Sequence, residues 1–281
     1  MDVLPSPSKQ LFQNIYPETA GHLLHQLGDH PLLTLDAMVS LASRMKAHTL
    51  EHNGAVDVPL GTPTTKLPHN GLTTVQTIEQ IETARSWVLL REIEQDPAYA
   101  ALMRDVLGEI EPLIAAVTGP MHKLRAYIFI SSPQAVTQLH FDPEYNILFQ
   151  AHGTKTMTLF PPADPEIIGQ HFFERYYSGG QRYLPWQDAW AARGNPIRIA
   201  PGEAIYVPLF APHWVKVHDA VSISLSLTWC SEYSIETADA HKFNHKLRGL
   251  GLKPGAPAPF PGSNRMKSLG HRALEKIPFL R

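Results

Sequence analysis

His140-Phe141-Asp142 places an imidazole and a carboxylate two residues apart. On an extended strand that spacing puts both side chains on one face, where they can grip a single ion from one side. A second histidine from a distant strand would complete a set of two histidines and one carboxylate. Such a set occupies one face of an octahedral metal and leaves positions open for substrate and oxygen, which suits non-haem Fe(II) chemistry. His213, in Ala211-Pro212-His213-Trp214, lies 73 residues on and follows a turn, as a return strand of the same barrel requires. His-X-Asp alone is a weak signal, because a surface histidine beside a turn aspartate has the same spelling.

The residues that follow sharpen it. Asn146, Leu148 and Gln150 alternate along the next apolar run, His152-Gly153 reads as a turn, and Lys155 opens another run. Lys155 has two readings. It is either an exposed strand end or an inward-facing ammonium, and the latter is costly unless an anion neutralises it. A dicarboxylate such as 2-oxoglutarate is one such anion.

The elements that must position these groups follow from periodicity. From about Arg125 the apolar period changes from 3.6 to 2, giving short runs at 125–131, 136–141, 145–151 and 155–160. After an aromatic-rich stretch, more runs occupy 196–200, 204–208, 213–217 and 221–229. Many short strands at this spacing predict a sandwich or barrel. The stretch 161–195 reads as a loop, either a lid over the barrel mouth or an ordinary packed surface segment. The first 120 residues read as mostly helical: Thr34 caps one helix, Val75, Ile78 and Ile81 mark another, and Asp96-Pro97 starts a long one that Gly119 stops. A short helix follows Trp229, then a loop-rich tail with six basic residues (Lys253, Arg265, Lys267, Arg272, Lys276, Arg281) against the single acid Glu275.

Composition bounds the function classes. With 281 residues, 43% of them hydrophobic and 18% charged, the chain can build a core, which excludes wholesale disorder. A net charge of -2 gives no overall electrostatic reason to seek nucleic acid or an anionic membrane. Cys230 is the only cysteine, so no internal disulfide can form. The amino terminus lacks a basic patch followed by an apolar run, and the longest apolar stretch, 204–215, falls short of the roughly 20 residues a membrane span needs. The expectation is a cytoplasmic protein with no membrane association. Of the fifteen histidines, His241 and His245 share a helix face but lack the glutamate of a zinc-protease motif. His152, His171 and His218 read as background.

One set of segments resembles a known family. Thr137-Gln-Leu-His140-Phe-Asp142-Pro-Glu-Tyr-Asn146 runs on to Lys155-Thr-Met-Thr-Leu-Phe-Pro-Pro162, followed by Pro201-Gly-Glu-Ala-Ile-Tyr-Val-Pro208, His213 and Ser222-Ile-Ser-Leu-Ser226. In this order they are similar to the JmjC-like branch of the cupin-fold Fe(II) and 2-oxoglutarate oxygenases, among them the asparaginyl hydroxylase that inhibits hypoxia-inducible factor. The resemblance implies a mainly β fold with flanking helices around a double-stranded β-helix (cupin or jelly-roll) core. It implies that His140, Asp142 and His213 hold iron, that Lys155 pairs with the distal carboxylate of 2-oxoglutarate and Thr137 hydrogen-bonds it, and that Asn146 lies near the cosubstrate. Tyr127 takes the place of the family's cosubstrate tyrosine. The last strand departs from the family's pattern: Ser226 and Thr228 stand where an asparagine and a tryptophan are usual, with Trp229 one residue further on.

The implied activity is hydroxylation of an unactivated C–H bond, in a protein or peptide side chain, coupled to decarboxylation of 2-oxoglutarate to succinate. A small-molecule hydroxylase on the same fold and a non-catalytic cupin-like ligand sensor are the alternatives. The expected organisation is a helical region over 1–120, a catalytic core over 121–235 with the lid at 161–195, and a C-terminal helix and basic tail over 236–281. A homodimer through flanking helices, with 238–250 as its contact, is also implied.

Overall fold

Side-chain alternation decides this architecture. In β11 (Ser222–Cys230) every residue is buried, yet the two faces differ: Ile223, Leu225, Leu227 and Trp229 point into the main apolar core, while Ser226 and Thr228 line an internal cavity. A strand covered on both faces must be wholly buried, and small polar residues on one face keep space open there.

The computed structural model describes residues 2–276. In chain order the elements are α1 (Ser6–Ile15), β1 (Gly21–Leu24), α2 (Leu35–Arg44), β2 (Leu50–Gly54), α3 (Thr74–Glu79), β3 (Ser86–Arg91) and α4 (Pro97–Thr118). There follow β4 (His122–Ser131), β5 (Val136–His140), β6 (Tyr145–His152), β7 (Lys155–Leu159), α5 (Gln170–Tyr177), β8 (Asn195–Ile199), β9 (Glu203–Val207), β10 (His213–Val217), β11, α6 (Glu232–Gly249) and α7 (Arg265–Leu274). All pairings are antiparallel. One sheet has the order β1-β9-β6-β11-β4-β3-β2 and the other β5-β10-β7-β8. Strands β4 to β11 thus build the double-stranded β-helix core.

The outer face of the larger sheet carries Ile128, Ile130, Ile147 and Phe149 into a core shared with Phe12, Met38, Tyr99, Val106 and Ile110 of the helices. Between the sheets lies a smaller apolar cluster with Leu148, Met157, Ile205 and Val215. Local signals set the helix starts. Thr34 accepts the Ala37 amide at 3.3 Å, Thr73 and Gln76 form a capping box, and Asp96 accepts the Ala98 amide at 3.0 Å. Gly153, at φ +68, makes the β6–β7 turn, where an added Cβ would run into the Val221 carbonyl.

Three readings from sequence need correction. The first 120 residues hold three strands besides their helices: β1, β2 and β3 lie there and extend the larger sheet at both edges. β1 is only four residues long, β2 (LEHNG) lacks apolar alternation, and β3 (SWVLLR) is buried almost throughout, so its continuous apolar run has no period-2 signature. The stretch 161–195 contains α5 and a 3-10 helix at Asp188–Arg193 rather than plain loop. The tail contains α7, whose buried positions Ser268 and His271 are polar and so hide its inward face. Arg281 of the basic tail lies outside the described residues. Among those described, no helix is long and apolar enough to cross a membrane.

Candidate functional site

His140 ends β5 and His213 begins β10, and the antiparallel register of these strands sets the two residues directly opposite each other. Their ring centroids are 4.3 Å apart. Asp142, two residues beyond His140, presents Oδ1 at 3.9 Å from His140 Nε2 and Oδ2 at 3.8 Å from His213 Nε2. Phe141, between them, points the other way into Phe172, Phe173, Tyr176 and Phe210. The alternation therefore anchors the segment on one face and offers ligands on the other. One donor atom from each of His140, Asp142 and His213 lies within 4.8 Å of the others, and all three residues are buried.

The imidazoles are held in one tautomer. His140 Nδ1 lies 2.8 Å from the Gln138 carbonyl, and His213 Nδ1 lies 3.0 Å from that of Ala211. A carbonyl can only accept, so each Nδ1 carries a proton, and each Nε2 is the ring nitrogen turned toward Asp142. This is how metal-ligating histidines are ordinarily braced. Burial, reinforced by His213 and Arg182, pushes the His140 pKa down to about 3 and keeps its ring neutral. At Asp142 burial opposes ionisation, but His213, His140, Arg182 and the Asn146 amide outweigh it and hold the carboxyl below its usual range.

Each oxygen of Asp142 also has one fixed donor. Asn146 Nδ2 donates to Oδ2 at 3.1 Å, and Ser226 Oγ donates in turn to Asn146 Oδ1 at 2.8 Å. Arg182 Nη1 donates to Oδ1 at 3.1 Å. Arg182 was not among the residues anticipated from sequence. It arrives because residues 182–184 run antiparallel to the end of β5, with Leu184 N bonded to the Leu139 carbonyl at 2.9 Å and Tyr183 bridged to His140. No local pattern marks it, since its partner is 40 residues away. Glu144, likewise unanticipated, lines the same cavity; burial and the Asp142 charge raise its pKa to about 7.

The triad opens into a cavity of about 680 Å³, its mouth included. The structure places all the sequence-derived candidates there: Thr137 on β5, Lys155 on β7, Tyr127 on β4, Asn146 on β6 and Ser226 on β11 line it together with His140, Asp142 and His213. Lys155 is buried, at 3% exposure, and its ammonium has no hydrogen bond or ion pair among the described residues. Burial alone drives its pKa down to about 7. Its reading as an exposed strand end is therefore wrong. Tyr127 keeps its proton, because burial and the Glu144 and Asp142 charges push its hydroxyl upward. On β11, Ser226 and Thr228 line the cavity while Trp229 faces the opposite core, so the register read from sequence is the observed one. Three other histidines do other work. His218 bonds Thr156 at 2.9 Å, exposed His152 bonds the Val221 carbonyl at 3.1 Å, and His241 stacks on Tyr177.

Comparison with known proteins agrees with this fold. The chain has no sequence match among curated proteins. In structure it is similar to YcfD of Escherichia coli, with 14% identity and a TM-score of 0.55 over 99% of this chain and 70% of that one. A second structure, described as YcfD, a ribosomal oxygenase from Escherichia coli, gives 14% identity and a TM-score of 0.52 over 99% and 68%. Residues 70–235 match the family of the cupin-like domain. That span holds the two-sheet core and every candidate site residue, and the chain belongs to this cupin-like family, in its JmjC-like branch.

Proposed function

We propose that the protein is an Fe(II) and 2-oxoglutarate-dependent oxygenase that hydroxylates an unactivated C–H bond in a protein or peptide side chain. The observation that carries this reading is one cavity holding both a buried His-Asp-His cluster and a buried ammonium without a counter-ion. The cluster fits a divalent metal: two imidazoles with their proton-bearing Nδ1 atoms turned away and their Nε2 atoms turned inward, one carboxylate, and all three on one side. When bound, iron and 2-oxoglutarate supply oxygen activation, with conversion of the cosubstrate to succinate and CO2 and insertion of one oxygen atom into the C–H bond.

The chain's own residues have separable tasks. His140, Asp142 and His213 would hold the metal. Asn146, itself fixed by Ser226, and Arg182 orient the Asp142 carboxylate through one oxygen each. Lys155 would receive the distal carboxylate of 2-oxoglutarate, with the Thr137 hydroxyl and the protonated Tyr127 as further donors. Glu144 and Arg182 line both this cavity and a neighbouring surface depression, the side from which a side chain of a larger substrate would enter. The ribosomal oxygenase among the structural relatives supports trying ribosomal proteins and peptides first.

The test is anaerobic Fe(II) binding followed by aerobic succinate formation, in the wild type and in His140→Ala, Asp142→Ala, His213→Ala and Lys155→Ala. The expected result is loss of iron binding in the first three and loss of 2-oxoglutarate binding alone in the fourth. A wild-type protein that takes up no Fe(II) would refute the oxygenase reading. Iron uptake without 2-oxoglutarate affinity would point to another cupin chemistry.

A further inference from the structure

A second cavity, of about 1170 Å³ with its mouth included, lies on the far side of the 208–210 loop from the triad. Its walls come from α5, α6 and the segment 256–260. The floor is apolar: Tyr145, Phe173 and Phe210 are all buried and line it. The outer wall, Ala256-Pro-Ala-Pro-Phe260, is held in place rather than collapsed inward. Ala258 N donates to Asn264 Oδ1 at 2.8 Å, Asn264 Nδ2 donates back to the Ala258 carbonyl at 3.0 Å, and Tyr233 OH donates to that carbonyl at 3.1 Å. Prolines at 257 and 259 stiffen the wall further.

Two polar groups in this lining lack partners. The His241 side chain, in a residue 2% exposed, makes no hydrogen bond among the described residues, and its Nδ1 is buried and unsatisfied. Gln170 Oε1 is buried and unsatisfied as well. Buried polar atoms are ordinarily paired, so a pair of orphans around one cavity marks a place where an occupant completes the bonding. The charges define that occupant. No lysine or arginine of the described residues lines the cavity, and Glu18 lies at its edge, so an anion has nothing to meet. Burial, with Lys267 nearby, drives the His241 pKa down to about 3, leaving a neutral ring. Aromatic walls favour a flat partner.

We infer that this cavity is a binding site for a small, neutral, flat ring molecule carrying an N–H or O–H donor, recognised by Gln170 and His241 between the aromatic floor and the proline-stiffened wall. The occupant would press on Phe210, whose ring packs 4.5 Å from that of Phe173 and whose backbone N donates to the Asp142 carbonyl at 3.1 Å. Phe210 sits at φ +66, a strained value for a bulky side chain, so this loop is held by its surroundings and is sensitive to them.

Indole is the probe, and indene, which has its shape without the N–H, is the control. The 15N-labelled full chain is titrated with each. The expected result is saturable shifts at the amides of Phe210, Thr237, His241 and Ala258, with an indole Kd below about 1 mM and indene at least about tenfold weaker. His241→Leu should weaken indole by a similar factor. Absence of saturable shifts, shifts confined to residues of the triad cavity, or equal affinity for indole and indene would each overturn the inference. The wild-type comparison stands even if His241→Leu does not fold.

Discussion

Replacing Lys155 by methionine should stabilise the ligand-free protein while abolishing its response to 2-oxoglutarate. Lys155 is buried without a counter-ion, and its pKa falls from 10.5 to about 7. At ~1.4 kcal/mol per pH unit, folding with this group charged costs roughly 4 to 5 kcal/mol, an upper figure because buried side chains relax. The sign follows from proton counts. Between pH 7 and 10.5 the unfolded chain binds the proton and the folded chain does not, so wild-type stability rises with pH across that window. Below pH 7 the full penalty applies; above 10.5 it vanishes. Lys155→Met keeps an unbranched apolar stem, ends at the Cε position, and removes the charge.

The assay is urea unfolding of metal-free wild type and variant at about pH 6, 8 and 10. The expected gain of the variant is about 2 to 5 kcal/mol at the lowest pH, shrinking toward zero at the highest. Adding 2-oxoglutarate with Mn(II) should raise the wild-type Tm and leave that of Lys155→Met nearer its metal-only value, because the dianion has lost its partner. A variant that is less stable than the wild type at pH 6, or a difference independent of pH, would refute the claim that Lys155 is an uncompensated buried charge.

Three other outcomes follow from the same geometry. Asn146→Ala removes one donor to Asp142 and should weaken Mn(II) or Co(II) binding by roughly tenfold to a hundredfold, read by calorimetry, with Tm lowered far less than the affinity loss would suggest. Phe141→Ala strips the aromatic anchor behind the ligands and should cost about 3 to 5 kcal/mol in chemical denaturation, with metal binding weakened as His140 and Asp142 lose their fixed placement. Gly153→Ala forces a Cβ into the Val221 carbonyl at a left-handed turn, and unfolding experiments should show a loss of more than about 1 kcal/mol.

The amino-acid sequence by itself determined the eight core strands, because each carries its own period-2 pattern and its own turn signals. It determined two helix starts through Thr34 and Asp96, whose capping partners lie within three residues. It also named His140, Asp142, His213 and Lys155, since the first two and Lys155 sit in one contiguous ordered stretch and His213 opens the return strand. What it could not supply depends on contacts between distant segments. β3 reads as an undifferentiated apolar run until the sheet covers both of its faces, and β1 is defined only by its pairing with β9. Arg182 becomes a partner of Asp142 only where residues 182–184 run alongside β5. The residues around Lys155 left both an inward and an outward reading open, and the family resemblance favoured the inward one. The register of β7 between β8 and β10 turned it into the cavity and buried its charge, and no neighbour in sequence could make that choice.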